Sequence, residues 1–312
     1  MDGGVLSAES LGRGNTIASN IASPAAGSEN PASLAESPTN ATYATALVGI
    51  SSDLPDNEAQ SSDPLTGKVL QYLSLQGEKG VIFYEPLSRI NQRDILDPAS
   101  PTTDYRDVEY DATAFGFAGA NKWGAGSIGI SMAYLHSSIG LVERRAFQPD
   151  RIVVDTADGL RINLGVRYPT GPAMWGVMVQ NLPGVLWGKD YHRNIFPMKT
   201  RIGNTVKIAQ GVFLSADWER RFYHEGSNAD NYVYVGLETF LSEYAVLRGG
   251  MFGTNINKSE ERHSTAGITL VAKTGARLSY AIDIYEQDNV RVKRSLVSIQ
   301  APFTAEDDNR GK

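Results

Sequence analysis

Four histidines, His136, His192, His224 and His263, are the side chains of this 312-residue chain best suited to bind a metal or move protons near neutral pH. None lies at the short separation from another that would set two ligands on one face of a helix or strand, so the spacing offers no metal site. Cysteine is absent, which removes thiolate ligands, thiol nucleophiles and dithiol redox chemistry. Asp217 and Glu219 stand two residues apart, the spacing that puts both carboxylates on one side of a strand. Such a pair could serve acid/base chemistry, but its commoner use is hydrogen bonding to cations, here Arg161 or Arg167. Nothing like a nucleophile elbow accompanies it. "GAGSIG" at 124–129 has the glycine pattern of a dinucleotide loop, with Glu143 downstream. That loop must open a helix, whereas the following "ISMAYLHSS" alternates like a strand, so a hairpin turn is the reading. "DTADG" at 155–159 lacks the alternating oxygen ligands of a calcium loop and reads as a turn or strand start. The sequence names no catalytic residue, no metal site and no cofactor, and the chain reads as a non-enzyme.

The elements that would position these residues are strands. In "RINLGVRY", Ile162, Leu164, Val166 and Tyr168 fall on one face and Arg161, Asn163, Gly165 and Arg167 on the other. "VFLSADWE" sets Val212, Leu214, Ala216 and Trp218 against Phe213, Ser215, Asp217 and Glu219. "LSYAIDIY" sets Leu278, Tyr280, Ile282 and Ile284 against Ser279, Ala281, Asp283 and Tyr285. About fourteen such segments follow one another near 40–51, 67–75, 80–88, 106–121, 126–143, 151–168, 173–186, 199–208, 211–223, 231–241, 244–252, 262–273, 276–286 and 290–303. Residues 124–142 carry no formal charge and are long enough for a membrane helix, but their Gly, Ser and His content and their alternation argue for a strand.

Connection lengths alternate along most of the chain. Long ones fall near 52–66, 89–105, 144–150, 187–198, 224–230 and 253–261, and between them lie short ones. A soluble sandwich has no cause to lengthen every second loop; an outer-membrane barrel does, with tight turns on one rim and long loops on the other. Charged residues on the mixed faces (Arg161, Arg167, Asp217, Glu219 and Asp283) would be costly in a dry sandwich core and suit a wet or charge-paired lumen. The alternative is a soluble β-sandwich binding protein with its polar faces outward. Trp123, Trp175, Trp187, Trp218, Tyr168, Tyr223 and Tyr244 cluster near segment ends, as an interfacial girdle would place them. The net charge of −6 and the 21% charged content speak against a nucleic-acid partner. The lack of cysteine suits an oxidising compartment. The start "MDGGVLSAES" has neither the basic nor the apolar region of a secretory leader, so the chain reads as cytoplasmic or as a mature form with a replacement Met1.

"LGRGNTIASNIASPAAGSENPASLAE" at 11–36 resembles the N-terminal segment of FadL-like outer-membrane proteins, the long-chain fatty-acid transporter superfamily, including its Asn-Pro-Ala element at Asn30, Pro31 and Ala32. "LSADWERR", "VYVGLETFLSEYAVLRGGMF" and "LSYAID" resemble the PorV-like branch. "SLVSIQAPF" is similar to the terminal strand read by the outer-membrane assembly machinery, with Phe303 as the signal and "TAEDDNRGK" following it. The resemblance implies an all-β, closed antiparallel transmembrane barrel of about fourteen strands. Residues 1–39, with Gly12, Gly14, Asn30, Pro31 and Ala32, would be a lumenal plug, 40–303 the barrel and 304–312 a polar tail. It further implies outer-membrane lipid as surroundings. Two functions remain open: a plugged channel for a small hydrophobic ligand, or a membrane anchor or shuttle for a protein partner. Arg161, Arg167, Asp217, Glu219 and Asp283 are the lumen candidates.

Overall fold

The computed structural model describes residues 5–19, 24–36, 41–52, 68–77, 80–97, 99, 104–188, 194–223, 229–287 and 290–303. The predicted outer loop 53–66, the tail 304–312, His192 and His224 lie outside them.

The strand segments are β1 (Ala41–Ser52), β2 (Lys68–Gln76), β3 (Gly80–Ile95), β4 (Tyr105–Trp123), β5 (Gly126–Arg144), β6 (Arg151–Thr170), β7 (Ala173–Gln180), β8 (Gly184–Gly188), β9 (Asn194–Ile195), β10 (Met198–Ala209), β11 (Val212–Phe222), β12 (Asp230–Ser242), β13 (Ala245–Gly253), β14 (Arg262–Val271), β15 (Arg277–Gln287) and β16 (Val290–Pro302). All belong to one antiparallel sheet, which β1–β16 and β5–β6 pairing closes into a ring. A two-sheet sandwich is thereby excluded. β7 and β8 are successive pieces of one stave, both lying on β6, and β9 and β10 lie against them in turn, so the wall has fourteen staves.

The stave expected to run unbroken over 173–186 is interrupted. From Leu164↔Val179 to Arg161↔Gly184, three steps along β6 match five along its partner. Asn181, at φ 61°, and Pro183 take up the excess. The expected loop 89–105 is shorter than its polarity suggested, because β3 continues to Ile95 and β4 begins at Tyr105. Both faces of this hairpin are polar, and Arg93 pairs with Asp107 across it at 2.6 Å, so no alternation of hydrophobicity marked it as strand. Asp155–Gly159 likewise lies inside β6, paired with Ile139–Leu135, and is no turn. "GAGSIG" does hold a hairpin: Trp123 pairs with Gly126 across a tight turn in which Gly124 has φ 58°. No helix among the described residues is long and apolar enough to cross a membrane, and residues 126–142 belong to β5.

Alternation becomes geometry as expected. On β6, Arg161, Asn163, Gly165 and Arg167 are buried, while Leu164 and Tyr168 are exposed. Phe115, Phe117, Ile130, Val177, Leu214, Leu237, Leu247, Ile268, Leu278 and Ile299 extend the exposed apolar row around the ring. An apolar surface this continuous would drive association in water, and it is the solvated face in lipid. The seven girdle aromatics expected from sequence are all exposed. β3 to β6, at 16, 19, 19 and 20 residues, are longer than every other strand, the longest of which has 13. They therefore rise above the long-loop rim as a flap, by about 20 Å along the strand.

The N-terminal segment runs inside the ring. Ser7 caps α1 (Ala8–Gly12) by accepting from the Ser10 N–H, and a 3₁₀ turn spans Pro31–Glu36. Nearly every described residue from Val5 to Leu34 is buried, although few are large. Small residues can be buried here because the surrounding wall supplies the bulk: Leu6, Ala25 and Ala26 pack on Tyr43, Tyr72 and Phe83, and Val5, Ala8 and Leu11 on Tyr234 and Phe252.

Candidate functional site

Where the segment meets the wall, inward positions are glycine. Gly129–Gly165, Gly176–Gly203 and Gly236–Gly250 are cross-strand pairs. A Cβ on Gly165 would stand 1.9 Å from Asn30 Oδ1, one on Gly176 1.9 Å from the Ala18 carbonyl oxygen, and one on Gly236 2.2 Å from that of Arg13. Gly12 and Gly14 press on the wall in turn; a Cβ on Gly14 would be 2.2 Å from the Val235 carbonyl oxygen. Asn30 donates through Nδ2 to the Ala18 carbonyl at 2.5 Å and accepts from the Ala32 N–H at 3.1 Å, which seats Pro31 and Ala32 over Gly129.

Charged side chains fix the segment between these seats. Asp217, fully enclosed on β11, accepts from the Ile17 and Ala18 N–H groups at 2.7 and 2.9 Å. Its cation is Arg201 at 3.7 Å, which also bonds Glu219 at 2.7 Å, and Arg221 takes the other Glu219 oxygen at 2.7 Å. The expected partners, Arg161 and Arg167, are elsewhere. Arg161 holds Glu85 at 2.5 Å, with Ser28 Oγ donating to the same carboxylate, and Arg167 lies 3.3 Å from Glu36. Asp283 is separate again, bound to Arg294 at 2.7 Å and His263 at 2.9 Å. Strand register explains the correction: Arg201 is the direct cross-strand partner of Glu219. Lys199, Arg201 and Arg221 were open to sequence reasoning, since they share the inward face of two correctly placed segments. Glu85 and the segment's own Arg13 and Glu36 were not, because their partners come from elements far apart in the chain. His136 bonds Asp158, and among the described residues no group of three or more His, Asp or Glu side chains is placed to hold a metal ion.

Two cavities flank the segment. The upper one lies toward the long loops, with Asn15, Ile17 and Ser28 of the segment in its lining and Glu85, Arg161, Arg201 and Glu219 around it. The lower one lies toward the short turns, against Glu9, Arg13 and Pro24. Arg13 anchors to Glu238 at 3.4 Å, and Glu238 to Arg248 at 2.6 Å. Between the cavities stand Arg13–Ile17, with Gly14 and Asn15 both at positive φ and Arg201 donating to the Asn15 carbonyl.

The wall beside the upper cavity is incomplete. β2 and β3 share four pairs, from Leu73↔Tyr84 to Gln76↔Val81, although β2 continues on β1 back to Lys68 and β3 on β4 up to Ile95. Pro86, which has no N–H to donate, and an irregularity before Ser88 follow the last pairs. Gln71, two residues before the outward Leu73, lines the upper cavity together with Pro86 and Leu87.

No protein-family model and no curated protein matches the chain. Solved structures do. The Ralstonia pickettii toluene transporter TbuX matches with a TM-score of 0.65 at 14% identity, over 95% of this chain and 97% of its own. The CymD monoaromatic hydrocarbon channel gives 0.67 at 12%, over 94% and 96%. A Pseudomonas aeruginosa FadL homologue gives 0.56 at 11%, over 94% and 97%. At such identities the likeness is one of fold. Joined to the closed ring and its outward apolar band, it gives this chain a transmembrane β-barrel architecture with the FadL-type fold.

Proposed function

We propose that the chain is a plugged channel passing small molecules with a hydrophobic body across the outer membrane. Residues 1–39 are its plug, 40–303 its barrel, 304–312 a polar tail, and Phe303 its assembly signal. The observation that carries this reading is the interrupted ladder between β2 and β3. Unpaired backbone facing lipid is costly, so a wall gap beside an internal cavity is best understood as an entrance. Two of the matching structures are a toluene transporter and a monoaromatic hydrocarbon channel, which supports a small hydrophobic cargo here. Arg161, Arg167, Asp217 and Glu219 then serve to hold the plug, and Asp283 braces the wall, with no chemistry on the cargo.

The absence of cysteine makes the test clean. Gln71→Cys with Pro86→Cys puts two thiols on either side of the gap. In proteoliposomes, a short thiol cross-linker across them should abolish toluene uptake, and a reducible linker should restore it on reduction. Full uptake through the cross-linked barrel would refute lateral entry.

A second reading, an anchor for a protein partner of the PorV-like kind, rests on the flap. Phe147, Ile152 and Val154 are 107, 67 and 76% exposed there, above the apolar band. Photo-cross-linking from position 147 in intact cells tests it; adducts with lipid alone would dismiss it.

A further inference from the structure

The upper cavity is an odd host for a bare hydrocarbon. Its apolar surface comes from Leu6, Ile17, Pro86, Leu87, Phe196, Pro197 and Tyr234, but ionic and amide side chains are interspersed with it throughout. A hydrocarbon filling it would strip water from charged and amide groups and return no hydrogen bond. The cavity is equally unsuited to an ion. Arg161 is matched by Glu85, Arg201 and Arg221 share Glu219, and Lys199 and Glu29 also line it. With Asp217 at 3.7 Å from Arg201, four cations face four carboxylates, so neither sign of ligand meets a surplus.

What the lining does leave is neutral hydrogen-bonding capacity. Asn163 uses its oxygen for the Asn181 N–H at 3.0 Å, and Gln180 uses its NH₂ for the Ser28 carbonyl at 2.7 Å. The NH₂ of Asn163 and the oxygen of Gln180 have no partner among the described residues. One offers donors and the other an acceptor, from β6 and from the end of β7 just before the break at Asn181. A hydroxyl can satisfy both at once, because it accepts and donates.

We infer that the upper cavity takes small amphipathic molecules with an apolar body and a neutral hydroxyl head, phenols or alcohols, in preference to hydrocarbons and to organic anions. This names the ligand class of the proposed channel and rests on that reading. Asn163 and Gln180 hold the head, and the apolar body lies toward Leu87 and Phe196 at the entrance side.

Toluene, p-cresol and p-toluate share one body and differ in the head. Equilibrium dialysis of each against the full chain in detergent, with protein-free micelles as blank, should show p-cresol held about fivefold to tenfold more tightly than toluene, the worth of one net hydrogen bond. It should also exceed p-toluate, and the Asn163→Ala/Gln180→Ala double variant should bring p-cresol to parity with toluene. Toluene equal to or tighter than p-cresol on the unaltered chain would overturn the inference and leave the channel standing. Tightest binding of p-toluate would overturn it by showing an anion site. Retention of none of the three would remove both the inference and the channel reading.

Discussion

Gly165→Ala adds one methyl group and alters no charge or hydrogen-bonding group. Its Cβ would stand 1.9 Å from Asn30 Oδ1, whereas ordinary contact begins at 3.4 Å, so Asn30 must retreat by 1.5 Å. Asn30 cannot do so in place. Its side chain is held at both ends, to the Ala18 carbonyl at 2.5 Å and the Ala32 N–H at 3.1 Å. Losing both bonds costs about 2 kcal/mol, and residual crowding of a packed interior up to about 2 kcal/mol more. The equilibrium for releasing the Asn-Pro-Ala turn should therefore shift by about 30- to 700-fold at roughly 1.4 kcal/mol per tenfold. Two assays read it: conductance in planar bilayers, and tryptic cleavage after Arg13, which is 5% exposed in the closed barrel. Gly140→Ala is the control, since a Cβ there meets nothing within 4 Å. If Gly165→Ala matches Gly140→Ala in both assays, the seating of the segment on wall glycines does not keep the barrel closed.

Asp217→Ala removes the acceptor of two buried N–H groups and one of the carboxylates facing Arg201, a loss of about 3–5 kcal/mol for a buried charged network. It should free the segment more than Gly165→Ala does, with Asp217→Asn between it and the unaltered chain, by the same cleavage assay. On denaturing gels the chain should run as a compact band unheated and shift on boiling, and should need detergent to stay monodisperse; a detergent-free monomer without a shift would contradict the barrel. Phe303→Ala should lower the amount assembled in the outer membrane of cells while leaving refolding into detergent unchanged, and unchanged levels in cells would deny Phe303 its signalling part. At the flap tip, the hydrogen bond from Arg144 holds the Asp150 carboxyl below its usual range. A depressed carboxyl gives its support above the unfolded value of about 3.9 and loses it as pH falls through the lower folded value. Hydrogen exchange in the β5–β6 tip should therefore quicken only under strong acid, and quickening already near neutral pH would refute the pairing.

Alternation made most of the wall legible because lipid and a polar lumen impose opposite demands on successive residues. Where that contrast ends, the signal ends too. Residues 89–95 are strand, but their sequence puts polar residues on both faces, so no difference between faces marks them. The break at 181–183 did leave a trace, since Asn181, Pro183 and Gly184 are turn residues set in an apolar run. The Arg201–Glu219 pair was also within reach, because a hairpin turning near residue 210 places 201 opposite 219. Arg161–Glu85 and Arg167–Glu36 were out of reach: the first joins β6 to β3 and the second β6 to the segment, and no local register links either pair.

The same interior sets an order of events during biogenesis. The Ala8 N–H is bonded to Ser298 Oγ and Glu9 to Ser279 and to Tyr43, so the segment ties the last staves to the first. Until β16 arrives, the Ala8 N–H lacks that acceptor, and until the segment arrives, Asp217 has no backbone N–H groups to receive. Neither part can finish first. Closure between β1 and β16 and the settling of the segment are therefore coupled, since a barrel closed without it would keep the Asp217 and Ser298 side chains short of the partners they have here.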